Sequence, residues 1–300
     1  MLTYLQAIVI GVLQGITELF PISSLGHSVL VPAWIGGSWG KLVSQESSPE
    51  SPYLAFIVGL HVATALALLL LFWRDWVGIV KGFIAVLKNR KVETVYERLS
   101  ILILIATIPA GILGLALEHT LRTIFAKPLA AAIFLTINGC ILAFGEYLRR
   151  KAPRDREIDP AVVEASGATE TDVAVTQQVN YVNAGIIGVF QSLALLAGIS
   201  RSGVSMVGGL WRGLTREEAI RFSFLLATPV ILAAGLYKVP DLFGNLGKGI
   251  HGQVLAGSVA AFFAALFAAR FLERWFRRGT LWPFAIYCFV VGGISIVHFA

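Results

Sequence analysis

The chain has 300 residues, of which 56% are hydrophobic and only 14% carry a formal charge, with a net charge of +6. Because an ordinary soluble domain has about 25% charged residues, this composition excludes a protein whose whole surface faces water, and its hydrophobicity excludes disorder. The basic excess does not indicate nucleic-acid binding, since Lys and Arg occur in clusters between apolar runs, as in membrane proteins. Cys140 and Cys288 each lie within an apolar run and predict neither a disulfide framework nor a zinc site.

The first apolar stretch, residues 4–34, is interrupted at residues 20–24 by a proline and two serines. Neither half reaches the roughly 20 residues that a spanning helix needs. The pattern predicts two short half-helices around a polar break.

Six later runs are long enough to cross a membrane. The predicted spans are residues 53–73, 99–117, 128–148, 219–239, 253–271 and 281–299. Between the first two, the amphipathic segment 77–87 is too short to span easily and is predicted to lie in the inner membrane interface.

Charged residues are concentrated at 74–98 and 149–156. Basic clusters predict cytoplasmic loops, and the two spans between these clusters return the chain to the same side. Residues 149–180 also carry acidic residues and have almost no apolar periodicity. They predict a flexible charged linker in the cytoplasm between a first half, 1–148, and a second half, 181–300.

The second half begins with another broken apolar stretch, residues 181–211, with its break at 197–201. A shift of 177 positions aligns the two stretches without a gap, pairing Gln14 with Gln191 and Ser23 with Ser200. We interpret this as a duplication. Three spans separate the copies, so the second is inverted, and such repeats place binding sites near the membrane midplane. The predicted fold is an all-α integral membrane protein with six transmembrane helices and two re-entrant broken-helix pairs in an inverted-topology repeat.

Ionisable residues within apolar segments cost about 2.5 to 3.5 kcal/mol each at a helix centre, so they usually mark function. In the two breaks, the ionisable residues are Glu18, His27 and Arg201. The structural alternatives are an ion pair between Glu18 and Arg201 and a hydrogen-bonded core position for His27. His61, within a span, is interpreted as a helix-packing hydrogen bond.

Residue spacing at the first break suggests two functional pairs. Gln14 and Glu18 are four apart on one helix face and would offer an amide and a carboxylate oxygen to a hard cation, Mg²⁺ or Ca²⁺. Ser24 and His27 are three apart, so His27 is predicted to activate Ser24 or a water molecule.

The breaks also have the features of an anion site. Ser23 and Ser200 are predicted N-caps of the returning half-helices, whose free N–H groups favour phosphate. Arg201 can hold a phosphate bidentately. Ser202 and Ser205 follow it, either as further ligands or as partners of freed backbone groups.

At this point the sequence resembles the undecaprenyl-diphosphatase, or bacitracin-resistance, family. Residues 14–27, QGITELFPISSLGH, are similar to the family's (E/Q)GxTEFLPxSSxGH, and residues 197–205, AGISRSGVS, are similar to its PGxSRSGxT. The resemblance extends over nearly the whole chain. It departs at Leu25, Ala197 and Ser205, where the family usually has Thr, Pro and Thr. Position 14 can be Glu in the family, so Gln14 leaves Glu18 as the one carboxylate of this motif.

The resemblance implies a membrane hydrolase that converts a polyprenyl diphosphate to the monophosphate used in cell-wall synthesis, with a divalent cation, Mg²⁺ or Ca²⁺. It implies catalytic roles for Glu18, Ser24, His27 and Arg201, diphosphate binding by Ser23, Ser200, Arg201, Ser202 and Ser205, and metal binding by Glu18 and Gln14. It also implies a site in the bacterial plasma membrane that opens to the outer face.

Several alternatives stay open at this stage. The nucleophile is Ser24 or a water molecule, and the assembly is a monomer or a homodimer. A lipid-phosphate or anion transporter would use the same midplane site. The expected partners are the polyprenyl diphosphate and the lipid bilayer, without nucleic acid. A phosphatidic-acid phosphatase is rejected, because its motif requires histidine where Val207 stands.

Overall fold

The computed structural model describes residues 2–46, 52–125, 127–151, 158–244 and 249–300, and the regular structure within these ranges is helical throughout. The helices are α1 (Tyr4–Leu19), α2 (Ser24–Ile35), α3 (Gly37–Glu46), α4 (Pro52–Leu71), α5 (Trp73–Asn89), α6 (Val95–Phe125), α7 (Pro128–Lys151), α8 (Pro160–Ser166), α9 (Glu170–Gln178), α10 (Tyr181–Ser192), α11 (Arg201–Trp211), α12 (Arg216–Phe243), α13 (His251–Phe276) and α14 (Trp282–Phe299). A short 3-10 turn, Leu193–Leu195, follows α10.

A helix covers each of the six predicted spans. Among the described residues, α6, α7, α12, α13 and α14 are long and apolar enough to cross a membrane. The helix α4 passes this criterion together with α5, from which it is bent by 89°. The described part of the chain therefore has five candidate membrane crossings, or six when the bent pair is one span. The prediction of an all-α, multi-pass membrane protein is confirmed.

The outer surface of these helices is apolar, as contact with lipid requires. Large hydrophobic side chains are exposed along them, such as Leu115 on α6, Phe267 on α13 and Val297 on α14, which is 83% exposed. Exposed apolar surface on this scale is rare in soluble monomers.

Each predicted break separates two helices. Pro21 lacks an N–H and restricts the residue before it, so α1 ends at Leu19 and Phe20 is extended, with ψ of 141°. Ser23 has a φ of 70° and caps α2. In the second stretch Gly198, with a φ of 112°, permits the reversal, and Ser200 caps α11.

Each broken stretch packs against a long helix of the other half of the sequence. The first helix, α1, lies along α13, and α10 lies along α6. Both contacts are close: a Cβ at Gly11 would lie 3.0 Å from the Cα of Gly257, and one at Gly188 would lie 3.0 Å from the Cα of Ala106. Gly11 and Gly188 are themselves 177 positions apart.

Buried ion pairs join several helices at one end of the molecule. Arg221 on α12 pairs with Asp75 at 2.7 Å and with Asp172 at 3.0 Å, and its guanidinium lies over the ring of Phe72. Arg216 pairs with Glu146 near the end of α7. These contacts connect α5, α7, α9 and α12.

The end of the molecule that holds the ion pairs of Arg216 and Arg221 is called the ion-pair end below. Its structure corrects the prediction that residues 149–180 form a flexible linker. The segment 149–180 includes the end of α7 and the helices α8 and α9, and Asp172 and Val173 to Thr176 are buried. The reason is that α9 brings apolar side chains to the core and a carboxylate to Arg221. Within the predicted linker, residues 152–157 lie outside the described ranges.

Candidate active site

The two breaks are in direct contact. Ser23 Oγ accepts hydrogen bonds from the backbone N–H of Gly26, at 3.2 Å, and of Gly198 in the other break, at 3.1 Å. A buried amide on α7 joins them again, since Asn138 Nδ2 donates to Pro21 O at 2.8 Å and its Oδ1 accepts from Ser200 N at 3.0 Å. The two breaks therefore meet, through backbone groups that the helix ends leave without partners in their own helix.

A cavity of about 220 Å³ lies beside this junction. Its polar wall consists of Glu18, Ser23, Ser24, His61, Gln191, Ser200 and Arg201. Its apolar wall consists of Leu25, Val58, Ala110, Ala194, Leu195, Ile199, Val230, Ile231, Ala234 and Gly235. The cavity therefore suits a ligand with a polar head and an apolar chain.

Glu18 is the centre of the polar wall and is only 6% exposed. Its Oε1 accepts from Arg201 Nη2, while its Oε2 accepts from Ser24 Oγ and, at 3.0 Å, from Gln14 Nε2. His61 Nε2 lies 3.4 Å from the same Oε2. A buried carboxylate is tolerated only with such compensation. The ion pair between Glu18 and Arg201, left open by the sequence, is present.

Arg201 begins α11 and connects three elements. Besides its ion pair with Glu18, its Nη1 donates to Ala227 O on α12 at 3.1 Å. A guanidinium has five N–H donors, so Arg201 retains donors for an anion in the cavity that it lines. The N-terminal residues of α2 and α11 line the same cavity, where unpaired N–H groups favour phosphate.

The predicted pair of Ser24 and His27 is not brought together. Ser24 Oγ donates to Glu18. His27 Nδ1 donates to Ser23 O at 2.7 Å, and its Nε2 lies 2.8 Å from Tyr287 Oη. Both imidazole nitrogens thus have other partners, and His27 is not among the residues of the cavity wall. The Ser24 hydroxyl thus faces Glu18 on α1 while the His27 ring contacts Tyr287 on α14, and activation of Ser24 by His27 stays a prediction.

Two predicted phosphate ligands also lie away from the cavity. Ser202 Oγ donates to Phe20 O at 3.2 Å and lies 3.0 Å from Ser200 Oγ. Ser205 Oγ is buried within α11 and has no hydrogen-bond partner in the described protein. Neither serine lines the cavity, whereas Ser23 and Ser200 do.

The predicted metal ligands do not form a metal site by themselves. Within the described ranges there is no group of three or more His, Cys, Asp or Glu side chains that could hold an ion. Gln14 directs its amide nitrogen at Glu18, and both carboxylate oxygens of Glu18 accept hydrogen bonds. A divalent cation requires free oxygen ligands, so the arrangement does not fit one held by Glu18 and Gln14.

Sequence reasoning missed three residues of this region. His61 was interpreted as a packing residue, although it lines the cavity beside Glu18. Asn138 is fully buried and joins the two breaks. As a lone amide within a predicted span, it could have indicated a hydrogen bond between helices. Gln191 lines the cavity, and its alignment with Gln14 could have indicated this.

Comparison with known proteins gives consistent similarities over the full length. A family model described as bacitracin resistance protein BacA matches residues 7–294. An undecaprenyl-diphosphatase from Mycolicibacterium paratuberculosis is 56% identical over 302 residues, covering 100% of this chain and 98% of the relative. Undecaprenyl-diphosphatase 2 from Frankia alni is 53% identical over 338 residues, with the same coverage of each chain. An undecaprenyl-diphosphatase from Granulibacter bethesdensis is 41% identical, covering 99% and 97%.

Proposed function

Because the chain belongs to the bacitracin resistance protein BacA family, we propose that it hydrolyses undecaprenyl diphosphate to undecaprenyl phosphate and inorganic phosphate. The observation that carries this proposal is the hydrogen bond from Ser24 to Glu18 in a cavity that Arg201 also lines. A hydroxyl beside a carboxylate is an activated nucleophile, and the arginine is a phosphate ligand. The apolar wall offers a place for the first part of the polyprenyl chain.

In the proposed reaction, Arg201 and the N-termini of α2 and α11 hold the diphosphate. Ser24 Oγ attacks the terminal phosphorus, the anhydride P–O bond breaks, and undecaprenyl phosphate leaves. Glu18 Oε2 takes the proton of Ser24, in place of the His27 base expected from the sequence, because the hydroxyl already donates to it. Water then hydrolyses the phosphoserine, giving phosphate and returning the proton to Ser24.

Direct attack by water is the second route, with Glu18 as the base and Ser24 as a ligand of the water. Both routes need the same residues, so they differ in whether a covalent intermediate forms. A requirement for Mg²⁺ or Ca²⁺ remains a prediction from the family resemblance.

A transporter of lipid phosphates or anions is the alternative function. It would need the anion ligands but no base, so the contact between Ser24 and Glu18 favours hydrolysis. The decisive experiment measures phosphate release from undecaprenyl diphosphate by the purified protein in detergent, with and without EDTA. Wild-type release, lost in Ser24→Ala while substrate binding persists, would support the proposal. Binding without release by the wild type would contradict hydrolysis and favour transport.

The nucleophile is tested in the same assay with H₂¹⁸O. Acid-quenched turnover should trap a phosphorylated protein, with the phosphate on Ser24 located by mass spectrometry. If acid quenching traps no phosphoprotein while phosphate is released, the water route replaces the serine route; ¹⁸O enters the phosphate by either route, because water attacks phosphorus in both.

We also propose that the two halves form an inverted-topology repeat with re-entrant broken pairs. The matched positions of Gly11 and Gly188, each packed on a long helix of the other half, support this arrangement. In this proposal both termini lie outside and the ion-pair end lies on the cytoplasmic side of a bacterial plasma membrane, and the site opens to the outer face, as the family resemblance implies. Ser23→Cys in a Cys140→Ser background should react with an impermeant thiol reagent added outside. Labelling from the cytoplasmic side only would contradict this orientation.

The oligomeric state is a separate question, and light scattering of the purified protein would distinguish a monomer from a homodimer.

A further inference from the structure

The imidazole at the cavity belongs to His61, on α4, and not to the histidine of the sequence motif. His61 lines the cavity, its side chain is 21% exposed, and its Nε2 lies 3.4 Å from Glu18 Oε2. The motif histidine, His27, uses its two nitrogens on Ser23 O and Tyr287 Oη. Of these two histidines, it is His61 that combines a position on the cavity wall with a contact to the carboxylate.

The orientation of the His61 ring follows from its second contact. Nδ1 lies 2.8 Å from Ile57 O, one helical turn earlier. A carbonyl only accepts hydrogen bonds, so Nδ1 carries the hydrogen of this bond. The bond fixes the ring against α4, with Nε2 3.4 Å from Glu18 Oε2, and Nε2 can donate to that carboxylate when both ring nitrogens carry hydrogen.

The contacts of Glu18 Oε2 suggest what His61 does there. Gln14 Nε2 donates to this atom at 3.0 Å from within α1, while His61 approaches it from a different helix. Ser24 donates to the same atom. The charged side chains that face His61 across the cavity are Glu18 and Arg201, and Arg201 is bound to the other carboxylate oxygen.

We propose that His61 is a positioning residue: in its imidazolium form, with Nδ1–H on Ile57 O, it holds Glu18 through an Nε2–H donor in the orientation in which Oε2 accepts the proton of Ser24. This inference rests on the proposed hydrolase function. Catalytic groups must be held in near-productive geometry, and a displacement of about 1 Å can cost roughly 10²-fold in rate. The requirement is for a donor at this position, so a side-chain amide should partly replace the imidazole.

The test compares His61→Leu, which has no donor, with His61→Gln, which retains an N–H donor, in the undecaprenyl diphosphate assay. We expect His61→Leu to lower kcat by roughly 10²-fold with KM nearly unchanged, since misplacement of a reacting group is the cause. His61→Gln should recover most of the rate. The matched control is His251→Gln, because His251 contacts Leu242 O at 3.0 Å and does not line the cavity.

Three results would overturn the proposal while leaving the hydrolase function intact. One is a wild-type kcat and KM in His61→Leu, and another is an equal loss in His61→Gln and His61→Leu. The third is a rise in KM at unchanged kcat, because it indicates a substrate ligand. A wild-type protein without phosphate release would instead contradict the proposed function itself.

A second comparison covers the case in which His61→Leu does not fold. His61→Phe retains a ring without a donor, and its kcat should fall by roughly 10²-fold with KM nearly unchanged. In addition, Gln14→Leu combined with His61→Phe should be non-additive, since both side chains hold the same oxygen. Additive losses would contradict a shared action on Glu18.

Discussion

Glu18, near the end of α1, and Arg201, the first residue of α11, form a buried ion pair although 183 positions separate them in the sequence. This pair brings a carboxylate from one broken stretch and a guanidinium from the other to the same cavity. The cavity thus combines a carboxylate base, Glu18, a guanidinium cation, Arg201, and the hydroxyl of Ser24, which donates a hydrogen bond to that carboxylate. The predictions below test this arrangement and the packing that maintains it.

Removal of one member of the pair should cost more stability than removal of both. Arg201→Met leaves Glu18 buried without its cation, which should destabilise the fold by about 3–5 kcal/mol. Glu18→Gln with Arg201→Met removes both charges, so its Tm should lie well above that of the single variant. Both variants should lose phosphate release by roughly 10²-fold or more, because a preorganised charge is gone. Equal Tm values for the two variants would contradict this account.

The buried arginine at the ion-pair end should contribute to stability and not to catalysis. Arg221→Met leaves Asp75 and Asp172 without their cation and should lower stability by about 3–5 kcal/mol. Arg277→Met is the matched control: its pair with Glu217 is 3.6 Å long with side chains 66% and 47% exposed, so it should cost about 0–1 kcal/mol. Thermal unfolding in detergent measures both, and kcat of the folded protein should stay unchanged. Equal shifts in Tm would contradict the prediction.

The contact of α1 with α13 should be sensitive to a single methyl group. A Cβ at Gly11 would lie 3.0 Å from Gly257 Cα, and such overpacking typically costs about 1–3 kcal/mol. Gly293 on α14 has open space around its Cβ position, so Gly293→Ala should be neutral or stabilising by up to about 1 kcal/mol. The order of the two Tm values checks this, and a Gly11→Ala protein as stable as the wild type would exclude the close approach.

Asn138 should maintain the junction of the two breaks. Asn138→Leu removes partners from Pro21 O and Ser200 N, and each buried group left unpaired costs about 1–3 kcal/mol. We expect a lower Tm and a lower kcat, because the junction positions Ser24 and Arg201. Thr136→Val, two residues earlier on α7, is the control, since its hydroxyl donates to Ala132 O of its own helix. Wild-type kcat in Asn138→Leu would show that the junction does not depend on this amide.

Much of the fold could be predicted from the sequence because the bilayer imposes simple rules. The length of apolar runs indicated α6, α7, α12, α13 and α14, and Pro21 with Ser23 indicated the first break. The helix α9 could not be predicted in this way. Its stability comes from buried contacts with α12, in particular Asp172 with Arg221, and the local composition carries no information about that partner.

For the candidate site, the sequence by itself selected Glu18, Ser24 and Arg201 as candidates, because charged side chains in apolar stretches are costly and usually mark function, and these residues lie at the paired breaks. Helical spacing then determined which residues share a face within one helix, such as Gln14 and Glu18. Only the tertiary structure decided that Ser24 donates to Glu18 while His27 contacts Tyr287, and that His61 lines the cavity. Such contacts join helices far apart in the chain, and they depend on how α1, α4 and α14 pack together, which spacing within a single helix does not specify.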